Sequence, residues 1–288
     1  MDDRLSLYEE RSMSMCVEAT FDFIRIHIMT WLRLGAVLLL PVCMLLSLAV
    51  FTIDNDEFLN DTRWNLGFSW GDDDDTPFVF WLLEMLALWA VMMLVYALLF
   101  AAADRKLPSS MRGMVHYVRR AAVRSLVSAI VLFVLLWAFF SFRSWFPVVP
   151  LLVILVPMSL VPPVWMMEDC SFFTAVSKGL RLGFSSWFSL FFMVLMVILI
   201  GGIITLVVNV PWIILQTILT EIVPVNGESG GGLLFIKWVI YVFTVLAYFC
   251  GLMVCSLVLL SCVFHYGSVS ERVDDASLES DIEHFEQL

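Results

Sequence analysis

The stretch WMMEDCSFFTAVSKGLRLGFSSWFSLFFMVLMVILI, residues 165–200, decides how the chain is read. From residue 184 onward it is an apolar run of the kind that crosses a bilayer. Before that it holds Glu168, Asp169, Lys178 and Arg181 among several serines. Set on a helix, Thr174, Lys178 and Arg181 recur at i, i+4 and i+7, with Ser185 one turn later. Phe172, Phe173, Val176, Leu180 and Trp187 take the opposite side. A helix divided in this way lies in the plane of the membrane interface, one face in the acyl boundary and the other in water. The stretch therefore reads as an exit from one span at Glu168, an interfacial helix, and the start of the next span at Trp187.

Composition extends this outward. The 288 residues are 61% hydrophobic and 15% charged, against about 45–50% and about 25% in soluble domains. Mean hydropathy is +0.93. The gaps between apolar runs are too short for a soluble domain. The net charge of -11 is sorted by position and carries no basic stripe of the nucleic-acid-binding kind. The six cysteines form no C-x-x-C pair, and at least four lie inside apolar runs. They read as small buried hydrophobes rather than a disulfide framework or zinc site.

A span takes about 20 mostly apolar residues. Six stretches qualify: 34–53, 78–103, 123–142, 146–167, 184–210 and 233–264. The first is no cleaved leader, because its polar lead is long and DNDEF follows it. With the N-terminus inside, only Arg63, Arg143 and Lys237 of the 16 Lys and Arg fall on the outer side. The positive-inside rule then gives an N-in, C-in chain. Trp81, Trp145, Trp165, Trp187, Trp212 and Trp238 fall near span ends, as an aromatic belt does. The outer loop 54–77 is acidic. Its run 72–75 lacks EF-hand spacing and reads as a solvated loop more readily than a Ca²⁺ site. Asn60-Asp61-Thr62 matches a glycosylation sequon.

The opening stretch has a counterpart. Laying 18–34 on 174–190 pairs Ala19 with Ala175, Arg25 with Arg181, Trp31 with Trp187 and Leu34 with Leu190. Residues 111–125 repeat the polar stripe more weakly through Arg112, His116 and Arg119. The expected architecture is all-α: six transmembrane helices in three hairpins, each preceded by a cytoplasmic interfacial amphipathic helix. The membrane domain covers 1–266, with repeat units of about 12–104, 111–168 and 170–266. An acidic cytoplasmic tail, 267–288, follows.

Candidate site residues are few. No phosphate-binding loop, zinc-protease or nucleophile-elbow motif is present, and the four histidines are scattered. The expectation is no enzyme, no cofactor, no metal and no nucleic acid. Glu84 and Lys237 stand inside spans, where charge is costly, roughly 6–9 Å deep at about 1.5 Å per residue. They would pair if their spans are neighbours. The structural reading is that ion pair, or a Lys that snorkels to the surface; the functional one puts Glu84 in a polar cavity on a transport path. Pro147, Pro150, Pro157, Pro162 and Pro163 make the fourth span prone to kinks. Gly179 and Gly183 form a small-xxx-small pair, which allows close backbone approach.

Pro163, Trp165, Glu168, Phe173, Ala175, Ser177, Leu182 and Gly183, followed by a long span, resemble the membrane-domain family associated with bacterial glycerophosphodiester phosphodiesterases. The family also includes stand-alone six-helix inner-membrane proteins. The segment TFDFIRIHIMTWLRL resembles the first lead-in helix of such proteins. The resemblance implies a multi-pass protein of the bacterial cytoplasmic membrane, without the soluble catalytic domain of the fused relatives. It marks Glu168, expected to cap or anchor the helix that follows. Two functions stay open. One is a non-enzymatic protein that handles lipids, organises the membrane or serves as an accessory subunit. The other is a small-solute permease with Glu84 and Lys237 in its path. The bilayer is the expected partner, with specific lipids, a membrane subunit or a second copy left open.

Overall fold

A computed structural model describes residues 9–53, 78–103, 111–141, 145–168, 170–218 and 231–274. The acidic loop 54–77 with its 72–75 run and sequon, the segment 219–230 and the tail beyond 274 lie outside them. The helices are α1 (Met13–Ile53), α2 (Phe78–Ala103), α3 (Met111–Ser141), α4 (Trp145–Met158), α5 (Val161–Met167), α6 (Phe172–Ser185), α7 (Trp187–Thr217) and α8 (Gly231–Asp274). No strand occurs among the described residues.

Among the described residues five helices are long and apolar enough to cross a membrane: α1, α2, α3, α7 and α8. The protein is therefore read as a multi-pass membrane protein. The expected fourth span, 146–167, is not one helix. It divides into the 14-residue α4 and the 7-residue α5. The prolines explain the division. Pro162 and Pro163 have no N–H to return to the carbonyls of Met158 and Ser159, and both occupy the first positions of α5, where proline is tolerated. The turn at Ser159–Leu160 tightens in steps: the Ser159 N–H is shared between the Leu155 (3.1 Å) and Val156 (3.2 Å) carbonyls, and the Leu160 N–H goes to that of Pro157 (3.1 Å).

The three lead-in segments also differ from one another. Residues 172–185 form a separate helix, ended by the break at Ser186. The lead-in of α1 meets its span across a kink at His27, whose φ of −107° and ψ of 16° are not helical. Residues 111–125 are simply the first part of α3, with no separate helix. The third expected interfacial helix is thus absent as an independent element, consistent with its weaker stripe.

Within a bilayer, apolar burial gives helices little reason to associate, so small residues and interhelical hydrogen bonds do much of the work. The α7–α8 seam illustrates this. Gly201 faces Val254, Thr205 Oγ1 meets Cys250 Sγ (4.0 Å) and the Trp212 indole donates to Thr244 Oγ1 (3.0 Å). Partner numbers fall as α7 numbers rise, so the pair is antiparallel. Along α1 and α8, Arg11 meets Ser268, Trp31 meets Ser256 and Tyr241 meets Met44. This pair is antiparallel too and brings the two ends of the described chain to one end of the bundle. α2 sits between α1, α3 and α8 and is the most enclosed span.

The α8 helix does not stop at 266, where the acidic tail is expected to begin. It runs to Asp274, and residues 259–270 are buried throughout although they include Ser261, His265, Ser268 and Ser270. A buried polar helix end needs partners. These partners define the candidate site.

Candidate functional site

Three interruptions of the helical backbone between residues 145 and 217 meet one turn and a half of α8. At the first, Ser159, Cys262 Sγ approaches Ser159 Oγ at 4.0 Å. At the second, between α5 and α6, the Tyr266 hydroxyl donates to Glu168 Oε1. At the third, Ser186, the hydroxyl lies 3.2 Å from His265 Nε2. Cys262, His265 and Tyr266 are all buried. α8 thus holds α6 at both ends, through Tyr266 before it and His265 after it.

Glu168 is the centre of this clasp. Its Oε1 also takes the Lys178 ammonium at 2.7 Å, one and a half turns into α6, with both side chains about a quarter exposed. Glu168 was expected to cap or anchor α6. It anchors the helix through Lys178, but the cap is Ser171. The Ser171 hydroxyl accepts from Thr174 N–H (3.4 Å) and pairs with Thr174 Oγ1 (2.8 Å). A serine is the better fit there because its short side chain reaches the free N–H groups of the first turn. Beside the clasp, Arg124 Nη1 donates to the Trp165 carbonyl (3.3 Å). The Cys170 thiol is pushed above its ordinary pKa by burial first and by the Glu168 carboxylate second, with Lys178 and Arg124 acting against both.

The inner face of α6 is made of Ala175, Gly179, Leu182 and Gly183. A Cβ on Gly183 would lie 2.5 Å from the Pro157 Cα, and one on Gly179 would lie 2.9 Å from Val161 Cγ2 and 3.1 Å from its Cα. The small-xxx-small pair therefore docks backbone to backbone onto the two sides of the Ser159–Leu160 break. Trp187, just past α6, donates its indole N–H to the Val153 carbonyl at 3.2 Å. In a regular helix that carbonyl would take the N–H of residue 157, which is proline.

The remaining face of α6 points away from the bundle. Phe173 is 83% exposed, Phe184 52% and Phe188, in the first turn of α7, 72%. Thr174, Ser177 and Arg181 lie exposed beside them. The helix accordingly has three faces rather than the two read from sequence: small inward, aromatic outward, and polar.

The matched positions of the two lead-ins occupy matching environments. Ala19 and Ala175 are buried, as are Leu34 and Leu190, and Arg25 and Arg181 are exposed. Trp31 and Trp187 are half-buried and each bonds across to another helix, Ser256 Oγ (3.0 Å) and the Val153 carbonyl. Arg25 and Arg181 thus belong to the surface. The glycines are not shared. Phe23 and His27 stand at the positions of Gly179 and Gly183, and Phe23 packs edge-on against Phe264 of α8, ring centroids 5.9 Å apart.

Glu84 and Lys237 are not brought together. α2 and α8 are neighbours, both residues are half-buried, and no ion pair joins them among the described residues. Among the described residues no group of three or more His, Cys, Asp or Glu side chains is placed to hold a metal ion. Tyr266, His265 and Ser186 escaped sequence reasoning. A signal existed: Ser261, His265 and Ser268 at i, i+4 and i+7 give the end of the last apolar run a polar stripe.

No family model matches the chain, and comparisons with curated proteins and with solved structures return no match.

Proposed function

We propose that this is a non-enzymatic protein of the bacterial cytoplasmic membrane that organises or handles lipid at the inner leaflet, alone or as an accessory subunit. One observation carries the reading. α6 is a discrete amphipathic helix fixed to the bundle by its small-residue face, with Phe173, Phe184 and Phe188 directed outward beside Thr174, Ser177 and Arg181. An aromatic face next to a polar, basic one suits the boundary between acyl chains and headgroups. In the topology we infer, the N-terminus, α6 and the end of α8 lie inside, α4 and α5 together make the fourth crossing, and the α1 and α6 lead-ins are copies of one repeated joint. The positive-inside distribution and the antiparallel α1–α8 pairing support that arrangement, and the resemblance noted above accords with it.

The test is native mass spectrometry of the protein extracted in mild detergent. Retained phospholipid or a co-purifying subunit is expected, and retention falls when Phe173 and Phe188 are both replaced by Ser. A protein free of lipid and subunits, or lipid retained equally by the double variant, overturns the reading.

The second reading, a small-solute permease, is favoured by the broken turn at Ser159–Leu160. Interrupted helices expose backbone carbonyls that line transport sites in several carriers. Solute flux that depends on Glu84 or Lys237 would establish it instead.

A further inference from the structure

We propose that α6 is a strap that opens as one unit, hinged at Cys170–Ser171 and at Ser186, and that its opening uncovers the broken turn at Ser159–Leu160. This holds whether the chain organises lipid or moves a solute, so its failure is separable from that of the function above.

The geometry supplies each part of the device. The helix is bounded by backbone breaks on both sides, so it can move without unwinding its neighbours. Ser171 has extended φ/ψ (−71°, 155°), and Ser186 departs from helical values (−123°, 22°). Hinges of this kind absorb backbone change at the ends of elements. Its inward face is held by close backbone approach with little side-chain interlocking, because two of its four buried residues are glycine and one is alanine. Beside that contact, polar groups hold it closed. Tyr266 and Lys178 converge on Glu168 Oε1 at one end, and His265 meets Ser186 at the other. Contacts of this kind switch off individually, unlike a packed core. Beneath the strap lie Pro157 and Val161, against which Gly183 and Gly179 rest. Between them are the Met158 and Ser159 carbonyls, to which Pro162 and Pro163 return no N–H. Such carbonyls in a membrane protein must face protein or water.

Hydrogen exchange read by mass spectrometry, on the full chain in lipid nanodiscs, tests this. In the wild type the amides of 172–186 are expected to exchange together, through one opening, ahead of those of 187–200 and 78–100. Removing the Lys178 ammonium (Lys178→Met) or the Glu168 charge (Glu168→Gln) deletes the ion pair that ties α6 to the end of α5, and speeds exchange of 172–186 about tenfold to a hundredfold with 78–100 unchanged. Cysteine alkylation provides a second readout. Cys262 and Cys43 are both buried, but only Cys262 adjoins Ser159. Alkylation of Cys262 rises in the variants while that of Cys43 does not. Exchange of 172–186 no earlier than 187–200 in the wild type, uniform acceleration of all helices, or parallel reactivity of the two cysteines overturns the proposal.

Discussion

Trp187 supplies the hydrogen bond that Pro157 withholds. Its indole N–H lies 3.2 Å from the Val153 carbonyl, the group that residue 157 would serve in an unbroken helix. Replacing Trp187 by Phe keeps the ring and its stack on Phe191, centroids 5.3 Å apart, but leaves the carbonyl unserved. The expected cost is about 1–3 kcal/mol. Pro157→Ala restores a backbone N–H, so in that background the Trp187→Phe cost should fall below about 1 kcal/mol. A double-mutant cycle of unfolding in detergent measures the coupling. Equal costs in the two backgrounds would refute the account.

The glycines form a graded series. Gly183→Ala sets a methyl 2.5 Å from the Pro157 Cα, a backbone atom that cannot step aside. Gly179→Ala meets first the Val161 side chain at 2.9 Å. Gly202 has nothing within 4 Å of a Cβ. Thermal stability should fall most for Gly183→Ala and less for Gly179→Ala. Gly202→Ala should be neutral or gain up to about 1 kcal/mol from helix propensity. A Gly183→Ala protein as stable as wild type contradicts the docking.

Cys170 reports the charge of the clasp. Burial and the Glu168 carboxylate raise its thiol pKa, while Lys178 and Arg124 lower it. Glu168→Gln removes a negative neighbour, so the pKa falls, the thiolate fraction at a fixed pH near 8 grows, and alkylation of Cys170 accelerates. Lys178→Met removes a positive neighbour and shifts the pKa upward. The measurement is the midpoint of the alkylation-rate profile against pH, with opposite displacements expected from the two variants. Displacement in the same direction excludes the electrostatic assignment.

Glu84 serves as a control. It forms no ion pair with Lys237 among the described residues. On the lipid-organising reading, Glu84→Gln leaves lipid retention and fold intact, whereas abolished solute flux would favour the permease.

Much of the scaffold was legible because its signals are local. Apolar run length picks out α1, α2, α3, α7 and α8 without reference to any neighbour. The likeness between 18–34 and 174–190 was visible as four aligned residues, and their burial agrees pair by pair. The division of 146–167 was half legible: five prolines announce a kink, but Pro41 and Pro211 sit inside α1 and α7 without ending them. Two adjacent prolines at Pro162–Pro163 remove consecutive bonds, which one does not. The clasp itself was not legible. Glu168 stood out alone, while Tyr266 lies 98 residues away and reads as one more aromatic near a span end. The pairing of Glu84 with Lys237 was conditional on neighbouring spans; α2 and α8 are neighbours, but depth and adjacency say nothing about which way round a helix a side chain points.

The buried end of α8 sets an order on biosynthesis. Arg11, Glu168 and Ser186 belong to segments made early, and each closes on residues 265–268, made after all the other described helices. Since chains emerge from the N-terminus, these early partners stay unmet until α8 is in place. The last helix to enter the membrane is the one that locks the first lead-in and α6 where they belong. Insertion without α8 should therefore leave the first lead-in and α6 without the partners that residues 265–268 supply.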